Sequence, residues 1–176
     1  ALDVAFESRD DILPDEYLEM VELKTAVLYG ASAATPALLL GADEDVVDAL
    51  YRYGIDSGRA FQIQDDVLDL TVPSEELGKQ RGSDLVEGKE TLITLHARQQ
   101  GVDVDDLVDA DTPAEVTEAA IDDAVAALEE VGSIEYARDT AEDLTERSKE
   151  HLELLPESGS RSLLEDLADY LIVRGY

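Results

Sequence analysis

Phe61-Gln62-Ile63-Gln64-Asp65-Asp66-Val67-Leu68-Asp69-Leu70 is the stretch on which the reading of this chain turns. At about 100° per residue, Gln62, Asp65, Asp66 and Asp69 fall within an arc of roughly 100° on one helix face. Phe61, Ile63, Val67, Leu68 and Leu70 flank that arc. Three carboxylates on a narrow face between apolar residues repel one another if they are buried without a cation. Carboxylate oxygens one helical turn apart suit a hard divalent ion such as Mg2+, which keeps several waters and also takes phosphate oxygens. The pattern alone is weak: among 23 aspartates, about 0.4 copies of Asp-Asp-x-x-Asp are expected by chance. A second copy, Asp105-Asp106-Leu107-Val108-Asp109, lies in an acidic connector with no glutamine one turn upstream and no basic residue nearby. It reads as a solvated charge run.

The lysines separate the two copies. The chain has only 4, and three stand at informative places. Lys24 interrupts an apolar stripe of Tyr17, Val21, Leu28 and Ala31, where a charge is costly without a partner. Lys79 and Lys89 bracket the segment Gly78-Lys79-Gln80-Arg81-Gly82-Ser83-Asp84-Leu85-Val86-Glu87-Gly88-Lys89. Three ammonium groups and a triple carboxylate site belong together if a polyanionic ligand bridges them through metal, lysine acting as a mobile point charge with three donors. Taken singly, Lys24 reads as a snorkelling side chain and the loop lysines as partners of nearby acids; taken jointly, those bland readings are strained.

Outward from this stretch the pattern is helix after helix, and strand-like alternation is missing. Periodicity predicts a helix from Asp15 to about Ala34, disturbed or ended by Pro36, and a second from Asp43, as N-cap, to Leu70. Thr71 to Lys89 is rich in Gly, Pro, Ser and charge and reads as a long loop, which in a compact domain is usually functional. A helix from Glu90 to Gln100 ends at Gly101. After an acidic connector, Thr112-Pro113-Ala114-Glu115 predicts the start of a helix reaching Val131. Two more are expected, from Ser133 to Leu155 and from Ser160 to Arg174, the last with an apolar face of Leu163, Leu167 and Leu171. The fold class is all-α.

Composition narrows the function classes. The 176 residues include 43 Asp plus Glu against 13 Lys plus Arg, a formal net charge of −30. Such a surface repels nucleic acid and anionic lipid. With 9 arginines and 4 lysines, the acidic excess suits a cytoplasmic protein of a salt-adapted cell, because a screening length of roughly 3 Å at 1 M salt removes much of the self-repulsion. Cysteine is absent, which excludes disulfides and thiolate chemistry, and His96 and His151 are given no role. No apolar run approaches the roughly 18 residues of a membrane span, and the first residues lack signal-peptide features.

At this point the chain resembles the C-terminal half of the trans-isoprenyl diphosphate synthases, the polyprenyl synthetase family. Lys24-Thr25 resembles the family's Lys-Thr motif. Phe61-Gln62 with Asp65-Asp66-Val67-Leu68-Asp69 is similar to its Phe-Gln pair and second aspartate-rich motif. Gly78-Lys79 through Gly82-Ser83-Asp84-Leu85, then Glu87-Gly88-Lys89 and Thr91-Leu92, is similar to the loop that follows, and Tyr170 to Tyr176 resembles the family's ending. The resemblance implies an isoprenoid synthase helical bundle, with residues 1–176 as the C-terminal part of a single domain. It also implies Mg2+-dependent condensation of isopentenyl diphosphate with an allylic diphosphate, through ionisation to an allylic carbocation, and a homodimer. Carried over, Asp65, Asp66 and Asp69 hold Mg2+; Lys24 and Lys79 contact the allylic diphosphate, with Lys89 acting through metal-bound water. Thr25 and Gln62 line the pocket, Gln62 facing the reacting carbons. The catalytic set is Lys24, Gln62 and Asp65, and carry-over to Asp84 and Phe61 is weaker.

Ile93 stands where the family usually has proline. The first aspartate-rich motif, the arginine pair for isopentenyl diphosphate and the residues that set product length are not among these 176 residues, so the chain alone is expected to be inactive. The salt reading and the family together suggest geranylgeranyl or farnesyl diphosphate synthesis in a halophile. The alternative is a non-catalytic partner subunit of a heteromeric synthase, against which the intact Lys24, Asp65, Asp66, Asp69 and Lys79 argue. A terpene cyclase-like relative fits the Lys-Thr and Gly-Lys motifs less well.

Overall fold

The computed structural model describes residues 9, 12–78, 80–108 and 115–173. Every regular element among them is a helix: α1 Pro14–Val21, a π turn Glu22–Ala26, α2 Val27–Leu39, α3 Glu44–Thr71, α4 Ser74–Leu77, α5 Ser83–Val86, α6 Leu92–Gln99, α7 Glu118–Glu130, α8 Ser133–His151, a 3-10 turn Leu152–Leu154 and α9 Gly159–Val173. The all-α expectation therefore holds. Among the described residues no helix is long and apolar enough to cross a membrane. The described residues divide into two compact units, those within 1–17 and 63–139 and those within 18–62 and 140–175.

In the first unit the core is built from the C-terminal end of α3 and from α6, α7 and the start of α8. Ile63, Val67, Leu92, Ile93, Ile121 and Leu128 are fully buried. α6 starts at Leu92, and Thr91 and Thr94 close a capping box at its N-terminus. The predicted loop from Thr71 to Lys89 contains two single-turn helices, α4 and α5. Gly82 joins the second of them at φ +71°, where any other residue is strained, and a Cβ there would lie 2.6 Å from Ile121 Cδ1 and force it to shift. α7 begins at Glu118, where Thr117 accepts from Ala120 N and so supplies the cap. Thr112 and Pro113 lie outside the described residues.

In the second unit α2 and the first part of α3 approach through small residues. A Cβ on Gly54 would lie 2.5 Å from Tyr29 O and 2.6 Å from Gly30 Cα, so the two backbones nearly touch. Tyr53, Leu152 and Ala168 form a buried cluster with Leu50, Leu155 and Leu164 against it. Asp56, buried, takes two bonds from Arg147 at 2.6 and 2.8 Å and one contact from His151 Nε2 at 3.0 Å, tying α8 to α3 within this unit.

Three expectations meet a different outcome here. Pro36 sits inside α2 without ending it. The apolar stripe also does not continue to Leu28 and Ala31: Leu28 is 72% exposed and Ala31 is exposed too. The buried positions instead run Tyr17, Val21, Ala26, Gly30 and Ala34. Their spacings are four, five, four and four, and the step of five coincides with the π turn, whose wider ring rotates everything after it. Of the expected apolar face of α9, Leu163 is 69% and Leu167 45% exposed and Leu171 is half-buried, while Ala168 is buried.

Candidate functional site

The aspartate-rich end of α3 lies in the first unit. Asp65 is half-buried and Asp66 and Asp69 are buried, Asp69 completely. Val67, Leu68 and Leu70 point into the core, and this alternation fixes the carboxylates on the remaining face. Tyr17 of α1 donates its hydroxyl to Asp66 Oδ2 at 2.6 Å. Asp69 accepts from Ser83 Oγ at 3.0 Å and from Asp84 N at 3.1 Å, while its own carbonyl receives Gly82 N at 2.7 Å. Arg81 adds Nε to Leu70 O at 2.6 Å and an ion pair to Asp122 of α7. The segment from Arg81 to Asp84 is thereby fastened onto the end of α3. Lys89 closes the segment from the other side, its backbone N reaching Asp84 O at 2.9 Å and its ammonium pairing with the Asp84 carboxylate.

Charge is dense here, and the titration of the site follows from it. Burial pushes the Tyr17 phenol well above its ordinary 10.0, and the charge and hydrogen bond of Asp66, with the charges of Asp84 and Asp65, push the same way. Tyr17 is therefore a donor at any physiological pH. For Lys89, burial acts downward, but the hydrogen bond and charge of Asp84, with Asp66 and Glu87, outweigh it and raise the ammonium above 10.5. Lys89 stays charged.

In the second unit the π turn carries Lys24 and Thr25. Thr25 Oγ1 donates to Gln62 Oε1 at 3.1 Å, and Arg59 pairs with Glu22, so two contacts hold the π turn against α3. Tyr29 and Phe61 meet with ring centroids 5.4 Å apart. Lys24 is exposed. Lys79 lies outside the described residues.

The predicted site residues are thus found in two sets. Asp65, Asp66, Asp69 and Lys89 share the first unit, where the structure adds Tyr17, Ser83 and Asp84. Lys24, Thr25 and Gln62 share the second. Among the described residues no three Asp, Glu or His side chains converge as a ready cage for a metal ion. Mg2+ does not need one, since it is held by one or two carboxylates and completes its shell with waters and phosphate oxygens. Asp65 and Asp66 supply hard oxygens of that kind. Asp69 fits less well as a direct ligand, because both of its oxygens serve the Ser83–Asp84 turn.

Sequence reasoning treated Tyr17 only as part of an apolar stripe. The missed signal was the hydroxyl itself, since a buried tyrosine must find a partner for it. Ser83 carried no role of its own beyond the loop motif, and Asp84 only the weaker carry-over. The second aspartate run is exposed at Asp105 and Asp106 as expected of a charge run. Its surroundings need correction, however, because Arg98 pairs with Asp105 at 2.8 Å after the chain folds back. Asp109 lies outside the described residues.

The family model described as polyprenyl synthetase matches residues 1–128. A geranylfarnesyl diphosphate synthase of Natronomonas pharaonis is 61% identical over 176 residues, covering 100% of this chain and 50% of its own length. Among solved structures, the geranylgeranyl pyrophosphate synthetase of Geoglobus acetivorans superposes with a TM-score of 0.85 at 42% identity, covering 98% of this chain and 52% of that one. A polyprenyl synthase of Caulobacter crescentus, complexed with calcium and isoprenyl diphosphate, gives 0.85 at 32% identity, with 98% and 53% covered. The chain therefore spans about half the length of the relatives it matches. From the match along most of its sequence, and from the likeness in fold over nearly all of it, this chain belongs to the polyprenyl synthetase family.

Proposed function

We propose that this chain is the C-terminal portion of a Mg2+-dependent short-chain prenyltransferase that condenses isopentenyl diphosphate with an allylic diphosphate, with geranylgeranyl diphosphate as its product. The observation that carries the reading is the joint at Asp69. It fastens the segment bearing Ser83, Asp84 and Lys89 onto the helix end that presents Asp65 and Asp66. Relatives named for geranylfarnesyl and geranylgeranyl synthesis support the reaction class. A relative complexed with calcium and isoprenyl diphosphate supports a divalent ion beside a diphosphate.

Asp65 and Asp66 hold the Mg2+, and Asp69 keeps the lysine-bearing segment in place beside them. Bound there, the metal supplies Lewis-acid stabilisation of the charge that develops on the departing diphosphate. Lys24, Lys79 and Lys89 act on the same charge as ammonium donors. The allylic carbon–oxygen bond breaks with its electron pair leaving on diphosphate; the isopentenyl double bond attacks the cation, and a proton is then lost. Gln62, its side chain oriented by Thr25, faces the reacting carbons. The protein works as a homodimer in the cytoplasm of a salt-adapted cell. The 176 residues by themselves do not turn over, because the first aspartate-rich motif is not among them.

Binding of a bisphosphonate by this chain in molar KCl tests the reading. Binding is expected to require Mg2+ and to vanish in Asp65→Asn. Absence of binding at saturating Mg2+ overturns the reading in favour of a non-catalytic partner subunit. A prenyl-transfer assay on the isolated chain is expected to give no product, and product formation overturns the statement on turnover.

A further inference from the structure

We propose that Tyr17 is a positioning residue of the metal site, its buried hydroxyl setting the direction of the Asp66 carboxylate. The inference rests on the reading of Asp65 and Asp66 as metal ligands. Tyr17 is 1% exposed and Asp66 is 7% exposed, and their bond of 2.6 Å joins α1 to α3 across 49 residues of sequence. A core stripe that wanted only a large apolar ring at this position would be filled equally well by phenylalanine. The hydroxyl at that depth costs free energy unless it is bonded, and its acceptor is a carboxylate of the site. The bond is charge-assisted, which makes it short and strong and restricts the acceptor's rotation.

The surroundings of this hydroxyl point the same way. The charges of Asp84 and Asp65 also act on it, in the same direction as that of Asp66. Lys89 pairs with Asp84 and feels the charge of Asp66 as well. One neutral donor thus bonds Asp66, and one cation bonds Asp84. Groups that orient a ligating carboxylate in this way typically govern metal affinity by about 10–100-fold.

The test is Mn2+ binding to the 176-residue chain in molar KCl, which suppresses loose association with the many surface carboxylates, read from the paramagnetic resonance of the free ion. The wild-type chain is expected to show a site that Asp65→Asn removes. Tyr17→Phe is expected to weaken that site by about 10–100-fold. In an Asp66→Asn background the same change is expected to have no further effect on binding, because Tyr17 acts through Asp66. A role in packing alone predicts lower stability with Mn2+ affinity unchanged in Tyr17→Phe, and that result overturns the proposal while leaving the metal reading intact. A wild-type chain without any site sensitive to Asp65→Asn overturns both. If Tyr17→Phe fails to fold, fluorotyrosine-labelled wild-type chain replaces it. The 19F resonance of a solvent-shielded ring is expected to move on addition of Mg2+ and to stay still in Asp65→Asn; no movement in the wild type overturns the proposal.

Discussion

Replacing Asp69 by alanine separates an anchoring role from a ligating one. The carboxylate is completely buried and accepts two hydrogen bonds, from Ser83 Oγ and Asp84 N. Hydrogen bonds to a charged group contribute about 1.5–3 kcal/mol each, and the Asp84 amide is left buried without this acceptor, so Asp69→Ala is expected to destabilise the chain by about 3–5 kcal/mol. Ser83→Ala removes one of the two bonds and is expected to cost about 1.5–3 kcal/mol. Because the two share one network, the double variant is expected to cost less than the sum. Asp69→Asn keeps one acceptor oxygen and should fall between wild type and alanine. Asp65→Asn, at a half-buried position, is the control, with an expected change within about 0.5 kcal/mol. Urea unfolding followed by circular dichroism in molar KCl reads all five. An Asp69→Ala chain within about 0.5 kcal/mol of wild type refutes the reasoning, since surface substitutions routinely fall in that range.

Alkaline pH probes the same site. Tyr17 is held well above 10.0, first by burial and then by Asp66, and Tyr53 is raised from 10.0 by burial. Lys89 is raised from 10.5, Asp84 outweighing burial. The unfolded chain gives up these protons at lower pH than the folded one. Their contribution to stability is therefore full at neutral pH and declines as pH climbs above about 10. Urea midpoints measured across that range should fall, with a shallower fall in Tyr17→Phe; a flat profile refutes the assignment. The crossing in the second unit is tested by Gly54→Ala. A methyl there meets the backbone of Tyr29 and Gly30, so destabilisation of about 3 kcal/mol or more is expected. A loss under about 1 kcal/mol shows that the helices can part easily.

Much of the fold was legible because its signals are local. Asp43 before α3, Gly132 after α7 and Pro156 after α8 bound helices that periodicity had placed within a few residues. What stayed hidden depends on contacts distant in sequence or on a change of period. Nothing local announces that Ser83 bonds Asp69, or that Arg98 returns to Asp105, since either residue suits a solvated loop equally well. The stripe was extrapolated at an α-helical period from Val21 to Leu28, while the buried set moves on to Ala26 and Gly30. Small residues at those positions gave no hydrophobic weight to the correct phase. At the site, the type of chemistry was readable from Asp65, Asp66 and the lysines, and the division of labour was not. Burial, and a hydrogen bond on each oxygen, distinguish Asp69 from the half-buried Asp65.

The π turn from Glu22 to Ala26 has a consequence for how this chain can vary. A residue inserted into an α-helix cannot be undone by degrees: deleting one residue there turns everything downstream through about 100°. Gly30 would then leave its seat against Tyr51 and Ile55, and Tyr29 and Gly30 would no longer meet Gly54. Point substitution can soften the turn, but only a paired change in length elsewhere in α2 could restore the phase. The π turn and the helix crossing are thus coupled by residue count. A substitution beside that turn keeps the phase, whereas a change in the number of residues between Val21 and Ala26 does not.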